Sequence, residues 1–246
     1  MTQPVLALSR FMDRYADRAL LEPEIAQVEA VGACTDQTDL RWWEYAMALK
    51  AIETWQAEST RPVLETLAIA DVGGAGSTFY QALQRLTPEP ILLVDPRYAE
   101  LPAPIGDTFT VGDSLETLLA ASPSPTCMDV LTCISVLEHL PQVRPFLRAC
   151  TQLLKPGGLL FLTVDAWDCE GSDTAHFHWM RERIYHKESL QRLMEDLRLL
   201  GMKTFGGTDW HYPGNQLYGS YTFASVAMIK KTPDSAGGRT CPDPLP

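Results

Sequence analysis

The stretch IADVGGAGS at residues 69–77 decides the fold that the sequence predicts. It starts as an apolar run typical of a buried strand, passes into a turn of closely spaced glycines, and is followed by a helical pattern. A glycine-rich turn between strand and helix leaves the backbone open to a ligand, because no side chains stand in the way. The stretch therefore predicts a ligand-binding turn at the carboxyl end of a buried strand.

Short apolar runs continue to alternate with helical patterns beyond this turn. The runs are hydrophobic throughout, which is typical of parallel strands covered on both faces. We expect strands at residues 67–72, 90–95, 107–111, 128–134 and 158–165, and helices that begin near Ser77, Asp113, Pro141 and Lys187. Two further runs, at 202–210 and 218–230, flank a Pro-Gly-Asn turn and predict an antiparallel hairpin. Together they indicate an α/β fold with a doubly wound, mostly parallel, seven-stranded sheet.

The two ends of the chain differ from this pattern. Residues 1–60 read as helical, and one face carries aromatic and small apolar side chains spaced by four, namely Trp43, Met47, Ala51 and Trp55. Residues 232–246 are rich in Pro, Gly and polar residues and predict a disordered tail. We therefore expect an N-terminal helical extension over 1–60, an α/β domain over 61–231 and a tail over 232–246.

Two acidic residues follow the neighbouring strands. Asp95 ends the second strand 22 positions beyond Gly73, where a carboxylate can accept protons from both ribose hydroxyls. Asp113 follows the third strand and either accepts a proton from an adenine amino group or caps a helix. The spacing G-x-G-x-x-G of dinucleotide sites does not fit residues 73–78. The pattern thus favours an adenosine ligand other than a dinucleotide.

Two more blocks, MDVLTCISVLEHL at 128–140 and LLKPGG at 153–158, complete a resemblance over residues 65–230. The sequence resembles the class I S-adenosylmethionine-dependent methyltransferase family, which implies a Rossmann-like sheet and S-adenosyl-L-methionine as cofactor. The resemblance implies a cofactor site made of Asp71, Gly73, Gly74, Ala75, Gly76, Asp95, Pro96, Asp113, Ser114, Ile134 and Ser135. One departure is that Ala75 and Ser77 stand where the commonest family turn has glycines, so we expect altered detail with binding retained.

A second, smaller resemblance concerns the stretch RWWEY at residues 41–45. It is similar to the aromatic helix that some small-molecule methyltransferases lay over their cofactor. This implies that Tyr45 contacts the cofactor and that the N-terminal helices act as a lid, whereas Trp43 is expected to pack in the core.

The rate of methyl transfer depends mainly on placing the accepting atom close to the methyl carbon. A general base is needed only when the accepting atom carries a proton. The predicted bases are Glu138 and His139, which follow the fourth strand, and His178 in the long polar segment 165–179. The alternative is that the Glu-His pair caps a helix or orients a loop. No established metal-ligand spacing is present in the polar segment, so no metal site is predicted.

Composition narrows the class of acceptor. The net charge of −11 and the sequence pI of about 4.9 disfavour nucleic acid and anionic lipid as partners. No apolar run approaches the ~20 residues that span a bilayer, and six cysteines without a CxxC pair read as reduced thiols, so we expect a cytoplasmic protein without membrane contact.

These observations predict a methyltransferase that acts on an oxygen or nitrogen atom of a small molecule. Two alternatives stay open: a methyltransferase-like binding or scaffold protein without turnover, and a nucleic-acid methyltransferase.

Overall fold

The computed structural model describes residues 6–33, 41–59, 66–74, 76–97, 109–112, 115, 119, 127–167, 184–213 and 222–232. The strands are β1 (Ser9–Arg10), β2 (Ile69–Val72), β3 (Ile91–Val94), β4 (Phe109–Gly112), β5 (Met128–Ile134), β6 (Leu154–Ala166), β7 (Met202–Thr204), β8 (Thr208–Asp209) and β9 (Thr222–Lys230). The helices are α1 (Ala16–Leu20), α2 (Glu22–Glu29), α3 (Arg41–Glu58), α4 (Phe79–Gln84), α5 (Val143–Leu153) and α6 (Lys187–Leu199).

Seven of these strands form one sheet in the order β4-β3-β2-β5-β6-β9-β7. Strands β2 to β6 are parallel, whereas β9 runs antiparallel to both β6 and β7. This confirms the predicted seven-stranded, mostly parallel α/β sheet with a C-terminal antiparallel pair. Strands β3 and β4 follow on one side of β2, and the chain then crosses to the other side, where β5 and β6 lie. A crevice is expected where the strand order reverses, at the carboxyl ends of β2 and β5.

The two faces of the sheet are covered by separate hydrophobic clusters. In β6, Leu159 and Phe161 belong to the cluster that includes α3, whereas Leu160 and Leu162 belong to the cluster that includes α5 and α6. This alternation follows the two-residue period of a strand. It explains why the strands are apolar throughout, since both faces of each strand are buried.

Helix α3 is part of the core. Its predicted stripe is buried, with Trp43, Met47 and Ala51 fully inaccessible and Trp55 only 3% exposed. The indole of Trp55 also donates a hydrogen bond to the carbonyl of Gly157 at 2.9 Å. The stripe is therefore a packing surface against the sheet, as predicted, and a role of this helix as a lid stays a prediction.

Helix α6 begins at the predicted residue, Lys187. Its first turn is closed by a capping box, in which His186 and Ser189 exchange side-chain and backbone hydrogen bonds. Gly201 follows the helix with φ +87°, the left-handed conformation expected of the residue that ends a helix.

The helical prediction for residues 1–60 is wrong at Ser9–Arg10, which forms strand β1 and pairs with β8. The Ser225 hydroxyl donates to the carbonyl of Leu8, and the backbone N–H of Ala227 donates to the Ser9 hydroxyl. These bonds join residues 217 and 218 positions apart, so local sequence patterns do not reveal them.

The predicted strand at 202–210 is interrupted. Gly206 and Gly207 have φ of +67° and +78° and divide the run into β7, in the main sheet, and β8, which pairs with β1. A side chain at Gly206 would also collide with Leu8, because its Cβ would lie 2.3 Å from a Leu8 methyl carbon.

Several predictions fall outside the described residues, including the helix near Asp113, the turn at 214–215 and the tail from 233. Within the described part of the chain, no helix is long and apolar enough to cross a membrane.

Candidate active site

The glycine turn after β2 has the open backbone that the sequence predicts. Gly73 and Gly76 adopt φ of +84° and +89°, which L side chains rarely adopt. A Cβ at Gly73 would lie 2.1 Å from a methyl carbon of Val136, and one at Gly74 would lie 2.3 Å from Oδ2 of Asp71. A larger residue at 73 would be strained in its backbone and would displace Val136, one at 74 would displace the Asp71 carboxylate, and the turn presents bare backbone.

A cavity of about 750 Å³ opens beside this turn, within the range of small-molecule sites. It brings together most of the predicted site residues: Tyr45, Asp71, Gly73, Gly74, Gly76, Asp95, Pro96, Ile134, Ser135 and His139. It is also lined by residues that the sequence did not single out, among them Arg41, Thr78, Phe79, Arg97 and Val136. The predicted residues Ala75, Asp113, Ser114 and His178 lie outside the described part of the chain.

Asp71, the last acidic residue before the turn, lies in the floor of the cavity. Its Oδ1 accepts a hydrogen bond of 2.7 Å from the Thr132 hydroxyl. Burial, with a smaller contribution from the negative charge of Asp95, raises the pKa of Asp71 to about 6, although the Thr132 bond opposes the shift. A cationic ligand group beside Asp71 would favour its ionised form.

Asp95 follows β3 and is 4% exposed. The side chain of Arg97 donates to both of its carboxylate oxygens, at 3.2 and 3.1 Å, and the backbone N–H of Arg97 donates to Oδ1 at 2.9 Å. The Arg97 side chain is itself 65% exposed, so water competes with this pair. The carboxylate is thus held in a fixed orientation at the cavity wall by a residue that can move into solvent.

The end of β5 is held in an unusual conformation. Ser135 has φ +50° and is the only non-glycine residue with positive φ among the described residues, which costs about 1 to 2 kcal/mol. Its hydroxyl donates a hydrogen bond of 2.6 Å to Oε1 of Glu44, and the Thr163 hydroxyl donates to the same oxygen. Glu44 is fully buried in the first turn of α3, and the sequence analysis gave it no role.

Tyr45, the neighbour of Glu44, reaches the cavity wall. Its ring stacks on Phe79 with centroids 4.5 Å apart and planes 14° from parallel, and its hydroxyl accepts a hydrogen bond from Ser77 at 3.0 Å. Trp43 instead points into the core, where its indole donates to Asp17 at 2.7 Å. The two aromatics thus take the different positions that the sequence predicted for them.

The predicted bases Glu138 and His139 lie in a 3-10 turn, Leu137–His139, just after β5. His139 is exposed and lines the cavity. Glu138 is only 3% exposed and is absent from the cavity wall; its Oε1 accepts the backbone N–H of Asp165, and its Oε2 has no hydrogen-bond partner among the described residues. Burial, with the charges of Asp165 and Glu44, raises the pKa of Glu138 to about 8.

No group of three or more His, Cys, Asp or Glu in the described ranges is arranged to hold a metal ion. The segment that carries His176 and His178 belongs to residues 168–183, which lie outside those ranges.

The sequence matches a protein family whose function agrees with the glycine turn, the carboxylates at the strand ends and the cavity between them. The family described as a methyltransferase domain matches residues 36–199, about two thirds of the chain. The chain belongs to this methyltransferase family. The matched range includes the glycine turn, Asp95, Ser135 and His139. It also includes α3, so this helix belongs to the family region even though the sequence analysis assigned it to an extension.

Part of the chain is similar to curated proteins that share one name. The chain is 33% identical over 136 residues to the ubiquinone biosynthesis O-methyltransferase of Xanthomonas euvesicatoria, covering 50% of this chain and 56% of that protein. It is 28% identical over 154 residues to the protein of the same name from Yersinia pestis, covering 58% of this chain and 60% of that one. The match therefore spans less than two thirds of these relatives.

Solved structures share the fold at low sequence identity. A SAM-dependent methyltransferase from Archaeoglobus fulgidus superposes with a TM-score of 0.52 at 14% identity, covering 77% of this chain and 94% of that one. The cyclase SpnF superposes with a TM-score of 0.54 at 15% identity, covering 94% of this chain and all of that one. Since one neighbour is a cyclase, the shared fold alone does not fix the reaction.

S-adenosylmethionine is the cofactor of this family, and the residues of the cavity fit it. The glycine backbone at 73 and 74 and the carboxylates of Asp71 and Asp95 line the same cavity. A sulfonium cation with a ribose is complementary to this acidic floor.

Proposed function

We propose that this protein transfers a methyl group from S-adenosylmethionine to an oxygen atom of a small molecule. The observation that carries the proposal is that one cavity contains the glycine turn, Asp95 and His139, and thus both a cofactor-binding wall and a proton acceptor. The relatives named ubiquinone biosynthesis O-methyltransferases support oxygen over nitrogen as the accepting atom.

Acidic and basic side chains in different parts of the cavity would bind different groups of the cofactor. Asp95 would accept the ribose hydroxyls, and the turn at 73–76, with Tyr45, would border the amino-acid part. Arg41 contributes a guanidinium to the wall, which matches the geometry of the cofactor's carboxylate. Asp113 remains the proposed adenine contact, and Ser114 remains a proposed residue of the cofactor site.

When bound, S-adenosylmethionine supplies a methyl group activated on a sulfonium. The task of the chain is then to bring the acceptor oxygen close to that carbon and to remove its proton. We assign the proton to an imidazole nitrogen of His139, because this side chain lies on the cavity wall. Glu138, with its pKa raised to about 8, holds its own proton at neutral pH and is a weaker candidate. His178 remains the alternative base.

The proposal is tested with methyl-labelled S-adenosylmethionine, the whole chain and a panel of phenols and other hydroxylated small molecules. We expect label in a methyl ether product. In the variant His139→Ala, kcat should fall by about a hundredfold or more, since a general base contributes that much, while the Kd for S-adenosylmethionine stays unchanged. The control is His211→Ala, an exposed histidine outside the cavity wall, which should leave kcat unchanged.

Two outcomes would count against the proposal. Absence of S-adenosylmethionine binding in calorimetry would contradict it outright. Binding without label transfer to any acceptor would favour the binding or scaffold protein.

The acidic net charge supports a small-molecule acceptor over nucleic acid, and a cytoplasmic location is part of the same proposal.

A further inference from the structure

Glu44 is a buried charged residue that the proposed chemistry does not use. It is fully inaccessible, and a carboxylate in such a place is costly unless hydrogen bonds compensate for lost water. Its Oε1 accepts the hydroxyl protons of Ser135 and Thr163, and its Oε2 lies 3.5 Å from the guanidinium of Arg41. The hydroxyl partners come from the ends of β5 and β6, 91 and 119 positions along the chain.

The geometry at Ser135 indicates what these bonds achieve. A serine with φ +50° persists only when its surroundings fix it, because its Cβ disfavours this conformation. The backbone N–H of Ser135 donates to the carbonyl and the hydroxyl of Thr163, both at 3.2 Å. Glu44 completes this arrangement, since it binds the hydroxyls of both residues through one oxygen.

The same carboxylate also connects two segments of the chain that line the cavity. Ser135, which follows β5, lines the cavity, and α3 contributes Arg41 and Tyr45, on either side of Glu44 in the sequence, to the same cavity wall. Glu44 itself does not line the cavity, so it can affect a ligand only through these neighbours.

We propose that Glu44 is a positioning residue of the cofactor site, which holds Ser135 in its left-handed conformation so that the end of β5 meets the cofactor. The inference rests on the proposed function only in taking S-adenosylmethionine as the ligand. It assigns a binding role to a residue in a helix that precedes the glycine turn in the sequence.

The test measures the Kd for S-adenosylmethionine by calorimetry on the whole chain. Glu44→Ala removes the shared acceptor and should weaken binding about tenfold or more, as loss of charge-assisted hydrogen bonds does. Glu44→Gln keeps one oxygen that can accept both hydroxyls and loses the ion pair with Arg41, whose side chain is 46% exposed, so binding should stay within about fivefold.

A second substitution separates positioning from general stability. In the double variant Glu44→Ala/Ser135→Gly, glycine adopts positive φ without the help of Glu44, so we expect most of the lost affinity to return. The matched control is Glu24→Ala, which removes another buried carboxylate, on α2 and paired with Lys50, away from the cavity wall. It should lower the Tm and leave the Kd unchanged.

The inference is overturned if Glu44→Ala binds like the wild type, or if Ser135→Gly restores nothing in the Glu44→Ala background. Both results require that the wild type binds S-adenosylmethionine. Failure of the wild type to bind would instead overturn the proposed function, so the two failures are distinguishable.

Discussion

The parallel strands of the main sheet begin at one side, the amino edge, and end at the other, the carboxyl edge. Acidic side chains are buried at both edges, but their carboxylate oxygens are hydrogen-bonded to different extents. At the amino edge, Asp129 in β5 accepts the backbone N–H of Ala68 at 3.1 Å and pairs with Lys155 at 2.7 Å. At the carboxyl edge, just beyond the same strand, Glu138 receives one backbone hydrogen bond, and its second oxygen has no hydrogen-bond partner within the described ranges.

The difference shows how to distinguish structural from functional polar residues in one sheet. Asp129 accepts a hydrogen bond from the backbone of Ala68, and its charge is neutralised by the ion pair with Lys155. Asp71 and Glu138 keep raised pKa values, about 6 and about 8, because the effect of burial exceeds that of the hydrogen bonds that lower them. Groups with such raised pKa values concentrate at functional sites; here Asp71 lines the cavity, and Glu138 precedes His139, which also lines it.

The largest effect that contrasts the two edges is expected from glycine substitutions. Gly73→Ala places a Cβ 2.1 Å from Val136 in a backbone with φ +84°, a strain of about 1 to 3 kcal/mol, so the turn must shift and we expect a lower Tm together with weaker cofactor binding. Gly158→Ala, at the amino edge, brings a Cβ within 2.9 Å of the Lys155 carbonyl and should lower the Tm without changing the Kd. Calorimetry and thermal melting on both variants decide the point; equal loss of binding in both would remove the contrast.

The next effect compares two aspartates. Asp95→Ala should lose about 1.5 to 3 kcal/mol of cofactor binding, because it removes charge-assisted hydrogen bonds to the ribose. Asp129→Asn should reduce stability through its lost pairing with Lys155 and leave the cofactor Kd unchanged. Unchanged affinity in a folded Asp95→Ala variant would show that this carboxylate does not bind the cofactor.

A third contrast is a pH dependence of stability. Between the ordinary carboxyl pKa of 4.5 and the raised pKa of about 8, folded Glu138 keeps a proton that the unfolded chain has lost. The free energy of unfolding therefore falls as pH rises through this window and levels off above it.

Glu138→Gln removes this contribution while keeping the shape of the side chain. Thermal melts should show the variant close to wild type at the acid end of the window and more stable than wild type at its alkaline end. Parallel melting curves for the two proteins across the window would show that Glu138 titrates normally.

Local patterns in the sequence predicted much of the fold and several residues of the cavity wall. The start of α6 at Lys187, the buried stripe of α3 and the open turn at 73–76 follow from side-chain periodicity and glycine placement, which short segments contain in full. The position of Asp95 after the second strand and the family resemblance at Ser135 indicated two more residues that line the cavity.

What the sequence did not indicate depends on contacts between distant residues. Glu44 stands in an aromatic stretch, RWWEY, where a charged residue reads as an ordinary solvated position until its partners 91 and 119 residues away are known. Strand β1 was missed for the same reason, since its partner β8 lies near the other end of the chain. Arg97 had a detectable signal, because it follows Asp95 by two positions, but its ion pair depends on the local turn.

The pairing of the first strand with the last part of the sheet constrains when this protein can finish folding. Ser9 meets its partner Ala227 only after 218 further residues have been synthesised, which takes roughly 10 to 45 s on a ribosome. Until then the main sheet lacks β9, and Leu8 and Phe11 lack the surface that buries them. The nascent chain is therefore expected to expose the apolar residues around β1 until β9 has been synthesised, and these residues are where chaperones would bind.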